Sequence, residues 1–246
     1  MTAYNIEVRQ YDASELPPVN VNEVWRYSGC KSVPEDEETV RLMEETLKDY
    51  SGIARGKVCF VRAPKMPFKT ESKGLARVIS GSDEVVVFAA TVGIEFDRVI
   101  GRYKRTSPSK ALILQALGAE RVEALCDLFC SEFEGRTSRY SPGYGDMPLD
   151  HQRDVFALLQ CESKIGISLN ESLLMTPSKS VTAIFGIRHG EVSKDGVVNV
   201  SAHNCEECGL LECEFRDGSE NRDSSPASDV SPNSEPSPNG GEHGYS

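Results

Sequence analysis

A run of consecutive apolar residues, Val85-Val-Val-Phe-Ala-Ala90, constrains the fold of this chain more than any other segment. β-Branched and aromatic residues favour strands over helices. A strand that is apolar at every position needs apolar cover on both of its faces, because alternate side chains point to opposite sides of the sheet. The run therefore predicts a central strand in a sheet that is packed on both sides.

Shorter runs of the same kind predict strands at Val58–Val61, Ala76–Ile79, Ile165–Leu169 and Ser180–Phe185, with a weak strand at Val21–Trp25. Apolar residues at helical spacing lie between the two groups of strands, near residues 35–50, 94–100, 110–133 and 150–159. This order predicts an α+β fold, with a mixed, mainly antiparallel twisted sheet and helices packed on it.

The longest predicted helix carries an acidic stripe beside its apolar face. Glu120, Glu123 and Asp127 follow one another at helical spacing, next to the apolar Val122, Cys126 and Phe129. Such a stripe is typical of a solvated face.

Charge and composition exclude several classes of function. The formal net charge is −11 and no basic cluster is visible, which argues against nucleic-acid binding. No apolar run is long enough to span a membrane, and the first residues lack the pattern of a signal peptide, so we expect a cytoplasmic protein. The eight cysteines are then reduced thiols or metal ligands rather than disulfides.

The segment Arg139-Tyr-Ser-Pro-Gly-Tyr-Gly-Asp-Met-Pro-Leu149 contains a predicted rigid turn. Pro142 and Gly143 suit the two central positions of a type II turn. Arg139 and Tyr144 flank the bend, and could offer a ligand a fork of donors and a flat ring. The alternative is a surface turn between helices. The chain has no dinucleotide-binding glycine loop, Walker motif or Gly-x-Ser-x-Gly elbow.

This turn is followed in register by Gly166-Ile-Ser-Leu-Asn-Glu-Ser172 and then by Met175-Thr-Pro-Ser-Lys-Ser-Val181. The ordered set resembles the reactivation (activation) domain of cobalamin-dependent methionine synthase. Upstream, the segments Ala90–Glu95 and Ala116–Asp127 fit the same family, so the resemblance spans roughly residues 21–187.

The resemblance implies a domain that binds S-adenosylmethionine and presents its methyl group to a cobalamin on another domain. In that family a flavodoxin-like donor reduces an inactive cob(II)alamin by one electron, and methylation returns the enzyme to its cycle. No cobalamin module is present in this chain, so a stand-alone form would act on a separate methionine synthase or related corrinoid protein, with a flavodoxin or ferredoxin as electron donor.

The family's site residues map onto four positions of this chain. Arg139 matches the arginine that holds the ligand's carboxylate, and Ser141 matches the residue whose backbone meets the ligand. Tyr144 is the tyrosine of the turn, and Glu123 falls where the family has a helix glutamate near the site. Two family features are missing, because an aspartate of the N-terminal arm falls near Gly29 and a tyrosine pair falls near Ser193 in this chain.

A second constellation lies near the C-terminus, where three thiols, Cys205, Cys208 and Cys213, are spaced to converge on one metal. His203 or the distant Cys161 is the candidate fourth ligand. An iron–sulfur cluster there could relay the reducing electron, zinc would only fasten the C-terminus, and the alternative is three unligated thiols.

These observations divide the chain into four parts: an N-terminal extension (1–20), the S-adenosylmethionine-binding domain (21–200), a Cys-rich candidate metal segment (201–216) and an acidic Ser/Pro-rich tail (217–246) predicted to be disordered. Two other functions remain open at this point. The chain could be a metal-stabilised docking protein without a ligand, or it could reactivate another corrinoid methyltransferase.

Overall fold

The computed structural model describes residues 4–189. The main sheet has four strands in the order β1-β2-β3-β6, and each neighbouring pair is antiparallel. The strands are β1 Glu7–Asp12, β2 Arg55–Ala63, β3 Glu84–Thr91 and β6 Ser180–Ile187, with a separate two-stranded sheet of β4 Ser168–Leu169 and β5 Met175–Thr176. The helices are α1 Val21–Tyr27, α2 Glu37–Tyr50, α3 Lys73–Val78, α4 Glu95–Tyr103, α5 Pro108–Ser131, α6 His151–Leu159 and α7 Cys161–Ile165, with a 3₁₀ turn at Ser51–Ile53.

Strand β3 is central, as predicted, because it pairs with β2 on one side and β6 on the other. Its side chains alternate between two buried clusters. Val86 and Phe88 join one cluster with α1, α2, α4 and α5, whereas Val85 and Val87 join the other with α3, α6 and α7. The predicted α+β fold with an antiparallel sheet and packed helices is confirmed.

Helix α5 packs across one face of the sheet through a cluster of aromatic rings. The Phe129 ring lies 5.0 Å from that of Phe60 and 5.1 Å from that of Phe88, measured between centroids. These rings are fully buried. Phe129 therefore fixes α5, and the acids along it, over strands β2 and β3.

The first strand, β1, is an edge strand that pairs with β2 from Glu7↔Phe60 to Asp12↔Arg55. The sheet thus begins before residue 21, where the sequence pattern had suggested the start of the domain.

The weak strand predicted at Val21–Trp25 is wrong, because the segment is helix α1. The side chain of Asn20 caps the helix by accepting a hydrogen bond from the Glu23 backbone N–H at 3.3 Å. Val24 and Trp25 are adjacent in sequence and both buried against the core that contains α5, an arrangement that a half-buried strand cannot provide.

The strand predicted at Ala76–Ile79 is also wrong. Helix α3 covers this segment, with Ser72 as its N-cap and Leu75 and Val78 buried at a spacing of three residues. Of the predicted strand Ile165–Leu169, only Ser168–Leu169 is extended, and it belongs to the small sheet rather than the main one.

Helix α5 has 24 residues, but no helix within residues 4–189 is both long and apolar enough to cross a membrane.

The prediction of a solvated acidic stripe on α5 is wrong at Glu120, which is 5% exposed. Its carboxylate accepts a hydrogen bond from Nε of the neighbouring Arg121 at 2.5 Å. The buried negative charge of Glu120 is thus paired with the positive charge of Arg121.

Candidate functional site

The turn predicted around Pro142 and Gly143 is present. The backbone N–H of Tyr144 donates to the carbonyl of Ser141 at 3.1 Å, and Gly143 has φ +86°. Gly143 also donates its N–H to the Met147 carbonyl at 2.9 Å, which ties the two limbs of the bend together. A side chain at residue 143 would be strained by the positive φ and would approach Leu149 Cδ1 to 2.9 Å.

The chain before the turn is fixed beside the edge strand β6. Tyr140 and Ile184 exchange two backbone hydrogen bonds of 2.8 Å, and the Thr137 N–H donates to the Gly186 carbonyl at 2.9 Å. Consecutive residues of an extended segment point to opposite faces. Tyr140 accordingly joins the core on the α3 and α6 side, while the Arg139 side chain meets acids of α5 on the other.

Asp146 fastens the turn to the start of α3. Its carboxylate accepts hydrogen bonds from Ser72 Oγ at 2.5 Å, the Lys73 N–H at 2.6 Å, the Gly74 N–H at 3.2 Å and Tyr140 Oη at 3.1 Å. The first N–H groups of a helix have no partner within the helix and favour an anion. The hydrogen bond from Ser72, with those from the Lys73 and Gly74 backbone, lowers the pKa of Asp146 to about 2.

Asp146→Asn is expected to lower the free energy of unfolding by about 1 kcal/mol at pH 7, the usual cost of losing a helix cap. Because the folded-state pKa lies below the unfolded value, the stabilisation by the carboxylate is present above pH 4 and is lost as pH falls from about 4 to about 2. Urea unfolding at several pH values should therefore show the gap between wild type and variant narrowing in that window.

Asp150→Asn is the matched control for this prediction. Asp150 is also exposed and precedes a helix, but its side chain makes no capping hydrogen bond within residues 4–189. Its variant should unfold within about 0.5 kcal/mol of wild type. Equal losses in the two variants, or a gap that does not change with pH, would contradict the role assigned to Asp146.

The Arg139 guanidinium is held by two carboxylates of α5. Its Nη2 lies 3.0 Å from Glu123 Oε2 and 2.9 Å from Asp127 Oδ1. Its Nη1 is buried and has no hydrogen-bond partner among the described residues. Nη2 is thus bound by acids of the protein, whereas the neighbouring donor Nη1 has no acceptor among the described residues and can donate to a ligand.

Two sequence-predicted site residues, Arg139 and Glu123, are therefore in direct contact. Ser141 and Tyr144 lie on the adjoining turn. Ser141 is half-buried, and its carbonyl oxygen closes the turn. Tyr144 is 43% exposed, and its ring packs edge-on against Tyr140 with centroids 5.6 Å apart. The structure therefore brings Arg139 and Glu123 together, whereas Ser141 and Tyr144 lie near Arg139 in sequence, and their role at a ligand stays a prediction.

Tyr27 and Asp127 were not predicted as site residues. Burial raises the pKa of Tyr27, and the negative charge of Glu123 raises it further. No pattern in the sequence pointed to Tyr27, because the preceding residues Val21–Trp25 had the alternation of a strand and α1 was not predicted. Asp127 could have been found, since it lies four residues after Glu123 on the same helix face.

Cys126 and Cys130 of α5 are free thiols buried in the core cluster that contains Phe129. Burial raises the pKa of Cys126 and raises that of Cys130 to about 12. Both are therefore neutral thiols at physiological pH and poor nucleophiles.

Gly29 follows α1 by two residues and has φ +85°, and no described atom lies within 4 Å of the point that a Cβ would occupy. That the aspartate of the family's N-terminal arm falls near Gly29 stays a prediction from the resemblance. Ser193 lies outside the described residues.

The candidate metal ligands Cys205, Cys208 and Cys213, with His203, also lie outside the described residues. Cys161, the other candidate fourth ligand, is buried in the core beside Cys59. A hydrogen bond with Cys59, together with burial, raises the pKa of the Cys161 thiol. Within residues 4–189 no group of three or more His, Cys, Asp or Glu side chains is arranged to hold a metal ion.

Comparison with known proteins gave a match to a family model and similarities to solved structures. Residues 125–208 match the family model described as "Vitamin B12 dependent methionine synthase, activation domain". The structure is similar to the crystal structure of the MetH reactivation domain bound to AdoHcy, with a TM-score of 0.52 and 18% sequence identity over 77% of this chain and 80% of that chain. Curated proteins gave no match. The predicted resemblance is confirmed for the matched segment, and the structural similarity confirms the fold.

Proposed function

From the activation-domain match of residues 125–208 and the matching fold, we propose that this chain binds S-adenosylmethionine and supports the reductive remethylation of cob(II)alamin in a separate cobalamin-dependent methionine synthase. The observation that carries this proposal is the Arg139 guanidinium. It lies inside the matched segment, is positioned by two acids and keeps one buried donor without a partner in the described chain.

Arg139 binds the ligand's carboxylate. A guanidinium can form two parallel charge-assisted hydrogen bonds with a carboxylate, and Nη1 is a donor that has no acceptor within residues 4–189. An unpaired buried donor costs about 1–3 kcal/mol. The ligand's carboxylate removes that cost, so its binding is favoured over binding of a group without an acceptor.

The turn after Arg139 orients the rest of the ligand. Hydrogen bonds at Ser141, Gly143 and Met147 hold its backbone, and the hydrogen bonds that Asp146 accepts from Ser72 and from the Lys73 and Gly74 backbone attach it to the start of α3. A backbone fixed in advance loses little entropy on binding. Tyr144, 43% exposed at the bend and packed edge-on against Tyr140, offers a partly accessible aromatic ring.

The methyl-transfer step takes place on the cobalamin of the partner. A flavodoxin or ferredoxin supplies one electron to the cob(II)alamin, the methyl group leaves the sulfonium for the reduced cobalt, and S-adenosylhomocysteine remains. The role of this chain is to hold the methyl donor, S-adenosylmethionine, by its carboxylate at Arg139.

A reactivation assay tests the proposal. Methionine synthase that lacks its own activation domain, brought to the cob(II)alamin state, is given a one-electron reductant and S-adenosylmethionine with or without this chain. We expect turnover to return only when the chain and S-adenosylmethionine are both present. Intact methionine synthase under the same conditions is the positive control, and the proposal fails if that control recovers while the truncated enzyme with the chain does not.

A further inference from the structure

Arg139 is outnumbered by the acids that hold it. Glu123 and Asp127 both contact its Nη2, at 3.0 Å and 2.9 Å, and they project from one face of α5 because they are four residues apart. One guanidinium and two carboxylates are in direct contact, so this group of three residues carries an excess negative charge. The charge of Arg139 is therefore already compensated before any ligand carboxylate arrives.

A ligand of this site encounters two separate electrostatic demands. The buried donor Nη1 favours a carboxylate, whereas the excess negative charge favours a ligand that is cationic as a whole. S-Adenosylmethionine has a carboxylate, an ammonium and a sulfonium, and so carries one net positive charge. S-Adenosylhomocysteine has nearly the same shape, but its neutral thioether leaves it without net charge.

We propose that Asp127 is a specificity-determining residue, which together with Glu123 makes the site bind the cationic S-adenosylmethionine in preference to the neutral S-adenosylhomocysteine. This inference rests on the proposed function. It assigns Asp127 an electrostatic role that the sequence-predicted set of Arg139, Ser141, Tyr144 and Glu123 does not include. Its consequence is that the spent ligand leaves more readily than the methyl donor does.

The size of the preference for S-adenosylmethionine over S-adenosylhomocysteine depends on how exposed the two carboxylates are. The side chains of Glu123 and Asp127 are 42% and 71% exposed, so water and salt weaken their attraction for the sulfonium. For charges several ångströms apart at such a surface, one carboxylate should change the affinity ratio about three- to fivefold.

Calorimetric titration of the full chain with each ligand tests the inference. Wild type should bind S-adenosylmethionine more tightly than S-adenosylhomocysteine. The ratio of the Kd for S-adenosylhomocysteine to the Kd for S-adenosylmethionine should therefore exceed one, and it should fall with added salt. Asp127→Asn should reduce that ratio about three- to fivefold, mainly by weakening S-adenosylmethionine binding. Asp127→Glu should retain most of it, because the charge is restored.

Asp49→Asn is the matched control, since Asp49 is an exposed acid paired with Lys110 at the other end of α5. It lies on the order of 25 Å from Asp127 along the helix, because Lys110 precedes Asp127 by 17 residues, and its variant should leave the ratio unchanged. If both ligands bind wild type but Asp127→Asn leaves their ratio as it was, the inference is overturned and the proposed function stands. If neither ligand binds wild type, both are overturned.

Discussion

Replacing Arg139 by alanine is expected to weaken S-adenosylmethionine binding about 10- to 100-fold, the range for losing charge-assisted hydrogen bonds to a carboxylate. The variant also releases Glu123 and Asp127 from their contact with Nη2, and leaves two carboxylates that repel the ligand's own. Arg139→Lys keeps the charge but lacks the planar fork, so its affinity should fall between those of wild type and alanine.

Titration calorimetry on the purified full chain measures this effect. Arg41→Ala is the control, because Arg41 lies on α2 with its side chain 71% exposed and pairs with Glu45 on the same helix. That variant should bind within about twofold of wild type, as expected for a surface substitution away from the site. Thermal unfolding confirms that each variant is folded. Equal affinity in wild type and Arg139→Ala would refute the assignment of Arg139 as the carboxylate-binding group.

The fold could be predicted from the sequence where a segment is buried on both faces or where its apolar residues recur with a clear period. Val85–Ala90 had to be a central strand, because a fully apolar strand can be satisfied only between two layers. The short helices α1 and α3 were mistaken for strands. Their length gives too few turns for a helical period to emerge, and their caps at Asn20 and Ser72 are single polar residues of the kind also found in loops.

The site was partly readable, because its residues are close in sequence at the turn and distant elsewhere. Arg139 and the bend were predicted from local chemistry, since Pro142 and Gly143 specify the turn by themselves. The role of Asp146 could not be predicted, because its partners at Ser72, Lys73 and Gly74 are more than seventy residues away. The position of Tyr27 could not be predicted either, because it depends on the packing of α1 against α5.

The largest effect on stability is expected from breaking the buried ion pair between Glu120 and Arg121. Arg121 bonds Glu120 through Nε at 2.5 Å and Nη2 at 2.6 Å, and also donates to the carbonyls of Pro17 at 2.7 Å and Pro18 at 3.3 Å. Glu120 Oε1 in turn accepts from the Asn20 N–H at 3.0 Å. This buried pair therefore fastens the segment that leads into α1 onto α5.

Arg121→Ala is expected to lower the free energy of unfolding by about 3–5 kcal/mol, because it leaves the Glu120 carboxylate buried without its partner and two carbonyls unsatisfied. The double variant Glu120→Leu with Arg121→Met should be much less destabilised, since it removes both charges and fills a similar volume. Urea unfolding of wild type, Glu120→Leu alone, Arg121→Met alone and the double variant measures the coupling between the two residues. Additive losses would show that the side chains act independently. A strong coupling would show instead that the charges of Glu120 and Arg121 are tolerated in the core only as a pair.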